Sequence, residues 1–130
     1  RVFLSNPNGF IFGANSAVNV GALFATTSKI NNFSDDTAQL SSDGQGSILN
    51  QGTINTETGG YIGFFAPNIE NTGSLNSPEG NITLSNANSG LLYLPNSAGI
   101  GFSIDSLESL NPIGIENTGL IKASGGQVLL

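Results

Sequence analysis

Two glutamates, Glu70 and Glu116, occupy the same place in a repeated pattern, each immediately before an Asn-Thr-Gly triplet. A carboxylate pair at fixed spacing is what acid–base cleavage of a glycosidic bond requires, and a polysaccharide lyase would add a metal or an Arg or Lys base. The chain offers little to complete such a site. Its only basic residues are Arg1, Lys29 and Lys122, far apart in sequence, and it has no histidine and no cysteine. The usual general base, the thiol nucleophile and the common zinc ligands are therefore missing together. Asp35, Asp36 and Asp43 share one polar segment, but the D-x-D-x-D-G order of a calcium loop is not there. Solvated side chains account for both groups more simply than chemistry does. The expectation is a chain that is not an enzyme and carries no catalytic residues, metal or cofactor.

Composition points the same way. Charged residues make up 9% of the 130, against roughly 25% in an average soluble protein, and Asn, Ser, Thr and 18 glycines carry the polarity instead. Strong helix formers are sparse, so the composition is all-β. With a net charge of −6 and dispersed cations, no surface can neutralise a run of phosphates, which excludes nucleic acid and anionic lipid. No stretch is apolar enough for a spanning helix, and no signal peptide is recognisable. Lack of cysteine suits a chain that crosses an oxidising compartment unfolded. Arg1 leads directly into a strand-like run, so an interior or mature piece without its N-terminal cap is expected.

The most specific local signal is Asn6-Pro7-Asn8-Gly9. Proline presets φ at the second position of a turn, Asn6 can bond its own backbone two residues on, and Gly9 closes the bend, which predicts a type I turn. Val2-Phe3-Leu4 and Phe10-Ile11-Phe12 flank it as strands. A polar segment, 28–46, follows the next strands and reads as a loop or small excursion, with at most one helical turn near Ser34-Asp35-Asp36.

From Ile48 the sequence repeats. Asn50-Gln51-Gly52, Asn71-Thr72-Gly73 and Asn117-Thr118-Gly119 head three units at intervals of 21 and 46, the second read as two turns of about 23. Ile48, Ile69 and Ile115 precede the triplets; Ile54, Leu75 and Ile121 follow them. Short strands with Gly and Asn corners at this period fit the coils of a parallel β-helix better than a β-sandwich. Ile54, Leu75 and Ile121 should then stack inside, Ile62, Ile82 and Val128 should stack on a neighbouring wall, and the triplet asparagines should form a ladder. Between the second and third units, residues 91–112 read as a blurred turn with an excursion near Pro95-Asn96. Glu70 and Glu116 fall two coils apart on this reading, about 10 Å from each other.

The FLSNPNGFIFG block (Phe3 to Gly13) and VNVGALFATT (Val18 to Thr27), with later units ending in GGYIGF, EGNITL and GGQVLL, resemble the secretion domain of filamentous haemagglutinin-like exoproteins, the haemagglutination activity domain of two-partner secretion in Gram-negative bacteria. Phe10 stands where that family usually has Ile or Leu. The resemblance implies a right-handed parallel β-helix with extra-helical β elements: 1–27 holding the NPNG strands, 28–46 the excursion and 47–130 the coils. It implies a secretion-signal and scaffold module of a secreted adhesin, recognised by the periplasmic domains of an outer-membrane transporter and folding at the cell surface. Asn6, Pro7, Asn8 and Gly9 are the residues it assigns to secretion. Surface glycans or receptors are possible further partners, through a role in cell adhesion and virulence. A contact-dependent growth-inhibition toxin carrier, and a β-helical polysaccharide-active or carbohydrate-binding protein, remain open beside it.

Overall fold

The computed structural model describes residues 1–32, 34, 37–41, 46–87, 89–93, 101–106 (backbone only) and 114–130. Among them are strands and no helix. In chain order they are β1 (Val2–Ser5), β2 (Phe10–Phe12), β3 (Ala17–Val20), β4 (Leu23–Thr26), β5 (Lys29–Asn31), β6 (Thr37–Ser41), β7 (Ser47–Asn50), β8 (Thr53–Thr56) and β9 (Tyr61–Ala66). The remainder are β10 (Asn68–Asn71), β11 (Ser74–Asn76), β12 (Asn81–Asn86), β13 (Ser89–Tyr93), β14 (Gly101–Ser106), β15 (Ile115–Asn117), β16 (Leu120–Lys122) and β17 (Gln127–Leu129).

Three parallel sheets form the walls of a β-helix. The first wall is β1-β4-β9-β12-β17, the second is β2-β7-β10-β15, and the third is β3-β8-β11-β16. Each coil passes through the second, third and first walls in turn. Alternation along each strand turns one side chain in two inward. The pairing is the one the repeat predicts: Leu75 lies opposite both Ile54 and Ile121, and Ile82 opposite both Ile62 and Val128. Ile48, Ile54, Ile62, Phe64, Ile69, Leu75 and Ile82 fill the interior with no exposed surface beyond 1%. Val128, on the outermost strand, keeps 41% of its surface exposed.

Three expectations need correction. The interval between Asn71 and Asn117 is one coil and not two, because Ile69, Glu70 and Asn71 pair directly with Ile115, Glu116 and Asn117. Part of the intervening segment leaves the helix: β13 and β14 run antiparallel beside β6 and β5 in a fourth sheet, ordered β14-β13-β6-β5. The blurred turn expected there is absent from the described residues, and Pro95-Asn96 lies outside them. Segment 28–46, read as a loop or small excursion, is the excursion: it contributes β5 and β6 to the same sheet. Ser34 donates its N–H to the Thr37 carbonyl at 2.9 Å ahead of β6, whereas Asp35 and Asp36 lie outside the described residues. Residues 1–27 also form the first coil itself, with Phe10 opposite Ile48, Val18 opposite Ile54 and Leu23 opposite Ile62.

The fourth sheet covers the outer face of the first wall at its inner strands, so β4 and β9 are buried on both faces. Leu23, Ala25, Ile62, Phe64 and Leu84 face the helix interior, while Ala22, Phe24, Tyr61 and Phe65 pack outward against Ala38, Leu40, Ala87 and Leu92. Burial on both faces explains why β4 and β9 read LFAT and YIGFFA, nearly apolar throughout, instead of alternating. Leu75→Ala should cost about 2–5 kcal/mol as an unrefilled cavity. Denaturant unfolding of the purified domain measures it, and a loss no larger than that of an exposed Leu120→Ala would place Leu75 outside the core.

Candidate functional site

The NPNG turn is the corner between β1 in the first wall and β2 in the second. Gly9 donates its N–H to the Asn6 carbonyl at 3.0 Å, closing the turn. Asn8 donates its N–H to Asn6 Oδ1, also at 3.0 Å, so the first asparagine templates the bend with its own side chain. Asn8 keeps a negative φ and Gly9 takes +98°, the combination expected of a type I turn closed by glycine. Two contacts tie the approach down: Asn6 donates its N–H to the Thr26 carbonyl at 3.0 Å, and the Ser5 hydroxyl donates to the Ser28 carbonyl at 2.8 Å. Pro7 and Asn8 are exposed at the tip, with Asn6 and Gly9 half-buried. The four residues singled out by sequence are thus one fixed corner with an accessible apex.

Next to the turn, Asn8-Gly9, Gly46-Ser47 and the side chains of Ile11 and Leu49 border an open groove of about 420 Å³. Ile11 is 74% exposed, the most of any large apolar side chain in the described chain. Phe10 and Phe12 lie on the opposite face of β2. Phe12 stacks on Phe64 with ring centroids 6.1 Å apart and planes 6° from parallel, which anchors the strand leaving the turn to the interior of the second coil.

At the next corner, between the second and third walls, runs the predicted asparagine ladder. Asn50 donates through Nδ2 to Asn71 Oδ1 at 2.8 Å, and Asn71 donates likewise to Asn117 Oδ1 at 2.8 Å. Asn50 and Asn71 are fully buried. Their amides also reach the carbonyls of Gly52 and Gly73, so the polar groups brought inside are satisfied within the stack. A second, more exposed ladder joins Asn19, Asn55 and Asn76 on the outside of the third wall.

Glu70 and Glu116 are not two coils apart, as the repeat suggested. They are direct neighbours on β10 and β15, where paired strands lie about 4.8 Å apart, and both project into solvent. No group of three or more His, Cys, Asp or Glu residues converges among the described residues. Asp35, Asp36 and Asp43 lie outside them. Among the described residues, the titratable group that the fold alters is Tyr61, beneath the fourth sheet. Burial pushes its phenol above its ordinary value of 10.0, and the charge of Arg1 opposes this. Among the described residues its hydroxyl has no hydrogen-bond partner.

The sequence of this parallel β-helix has a known counterpart. The family model of the TPS secretion domain matches residues 1–130. The chain belongs to the TPS secretion domain family. Among solved structures, the crystal structure of the HMW1 secretion domain from Haemophilus influenzae is similar, with a TM-score of 0.74 at 25% identity. The match covers 95% of this chain and 34% of that one, so the chain spans about a third of that structure's length. No curated protein matches it. As a TPS secretion domain, the chain is a secretion-related module of two-partner secretion exoproteins. The residues of this secretion domain that sequence reasoning overlooked are Gly46 and Ser47 beneath the turn. Their signal was faint, because a Gly-Ser pair at the end of a polar segment looks like any other loop.

Asn71→Ala should destabilise this TPS secretion domain by about 1–3 kcal/mol, since it leaves the buried Asn50 amide without its partner; chemical denaturation reads the loss, and an unchanged midpoint would mean the ladder contributes nothing. Tyr61 makes the opposite kind of prediction. Because the folded state holds the phenol proton more tightly than the unfolded chain, its contribution is intact below about pH 10 and declines as pH rises above that. Tyr61→Phe should retain or raise Tm at neutral pH and lose less stability on going from about pH 8 to 11 than the parent does. A steeper alkaline loss in the variant would contradict it.

Proposed function

We propose that this module initiates export of a large exoprotein by engaging the periplasmic domains of its outer-membrane transporter, and that it folds at the cell surface. In this reading Asn6, Pro7, Asn8 and Gly9 form the secretion motif. One observation carries it: the turn presents Pro7 and Asn8 to solvent while hydrogen bonds to Thr26 and within the turn fix its base. It is accessible to a partner and also sets the direction in which β1 and β2 leave, which decides whether Phe10 and Phe12 reach the interior. Transporter contact and folding at the surface are both served by one corner. The parent is an adhesin or a contact-dependent toxin carrier, for which the β-helix supplies a scaffold extended coil by coil.

Polysaccharide cleavage draws no support from the glutamate pair. Glu70 and Glu116 stand side by side on an exposed outer face with no third acidic or metal-binding side chain converging on them among the described residues.

Export into the medium and thermal stability, measured on the same variants, test the proposal. Asn8→Ile replaces a polar turn residue with a stiff β-branched one and should impair both. Pro7→Ala should be mild, costing about 0.4–1 kcal/mol through unfolded-state entropy. Asn6→Asp keeps an acceptor for the Asn8 N–H and should leave Tm near the parent value while reducing export if the transporter contacts the apex. Undiminished export for all three overturns the assignment.

A further inference from the structure

The turn does not rest on its own coil alone. Below it, Gly46 and Ser47 lead into β7 of the second coil, and the two backbones touch. A Cβ built on Gly46 would stand 2.6 Å from the Pro7 carbonyl oxygen, 2.7 Å from the Gly9 nitrogen and 2.9 Å from the Asn8 carbonyl carbon. A Cβ on Gly9 would collide with the Ser47 carbonyl oxygen and lie 3.0 Å from the Ser47 nitrogen. Every one of these obstacles is main chain, which cannot rotate away as a side chain would. Gly9 is further held to glycine by its φ of +98°. Gly46 carries no such backbone requirement, so what restricts it is the turn itself.

We infer that Gly46 is a positioning residue for secretion: the motif operates as a two-coil unit, Asn6 to Gly9 seated on Gly46-Ser47, and export depends on that seating forming as the chain folds at the surface. The inference rests on the reading of the NPNG turn as the secretion motif. Its physical content is that a single methyl group at position 46 must lift the turn. Lifting it strains the bond from Gly9 N–H to the Asn6 carbonyl and moves Pro7 together with Asn8, which lines the groove beside Ile11 and Leu49. A transporter that reads only the extended chain is blind to position 46, which is distant in sequence. Export that relies on the seated turn to start coil formation at the surface is not.

The test compares Gly46→Ala with Gly73→Ala, in the full exoprotein with its transporter for export and in the secretion domain for Tm. Gly73 makes the same kind of tight approach to a neighbouring coil, at the Gly52 carbonyl and 2.7 Å from the Gln51 carbonyl carbon, but stands at a different corner. Gly46→Ala should reduce export several-fold more than Gly73→Ala for an equal fall in Tm. Combining it with Gly9→Ala should do little more harm than the worse single change, because both alter one contact. Gly46→Ala falling on the same export-against-Tm relation as Gly73→Ala overturns the inference. Where Gly46→Ala prevents folding, Leu75→Asp serves as an equally unfolded control: export retained by Leu75→Asp and lost by Gly46→Ala supports the inference, and equal export overturns it. If Asn8→Ile and Asn6→Asp impair export while Gly46→Ala behaves as its control does, the two-coil unit fails and the NPNG assignment survives; if they leave export intact, the assignment has failed first.

Discussion

Parallel stacking in strict register is the constraint on which the rest of this structure depends. Each strand satisfies its backbone groups only through the coil before and the coil after, so a slip at one coil would mispair every wall it touches. Two devices hold the register. Inside, the buried amides of Asn50 and Asn71 bond to each other and on to the more exposed Asn117 along the axis, and no shifted stacking reproduces that pairing. At the NPNG corner, contact between the turn and Gly46-Ser47 leaves no room for a side chain on either glycine. The apolar column of Ile48, Ile54, Ile62 and their equivalents contributes most of the burial. It is less discriminating, because one aliphatic side chain packs on another at almost any coil.

The walls were legible in the sequence for a physical reason: identical environments recur at each coil, so identical residue types recur with them. Ile54, Leu75 and Ile121 could be aligned without a structure, as could the triplet asparagines and the turn at Asn6-Pro7-Asn8-Gly9. Irregular spacing hid the rest. Asn50 and Asn71 are 21 residues apart, Asn19 and Asn55 are 36 apart, and Asn71 and Asn117 are 46 apart, yet each pair occupies adjacent coils. A period counted along the chain turned the longest interval into two coils and separated residues 1–27 from the coils to which they belong. What could have revealed the departures was the hydrophobic pattern of the first wall. LFAT and YIGFFA have no polar face, and a wall apolar on both sides needs something to cover it. The seat of the turn left no comparable trace, since a contact between main-chain atoms selects only for glycine, and glycine is abundant here.

The two excursions leave from the same corner of the helix, after first-wall strands β4 and β12, and return to second-wall strands β7 and β15. Having left at one corner, they can meet over one face. β6 from the first pairs antiparallel with β13 from the second, and Leu40 and Leu92 close over Phe24 and Phe65. The domain consequently has two apolar cores that share the first wall. The inner one is periodic and grows with each coil. The outer one is built once, from parts supplied by distant segments.

That outer core gives the molecule a clock. When a chain emerges from a membrane beginning with its N-terminus, inner coils can close one after another, each needing only its predecessor. Phe24 and Phe65 cannot be covered in this stepwise manner, because Leu92 and the rest of β13 emerge only after three coils are out. Closing a long loop is slow compared with stacking the next strand. Until it closes, the first wall shows an oily flank to its surroundings. In the export proposed above, the outer core is therefore the last part of the domain to close, and Phe24 and Phe65 stay uncovered until β13 has arrived.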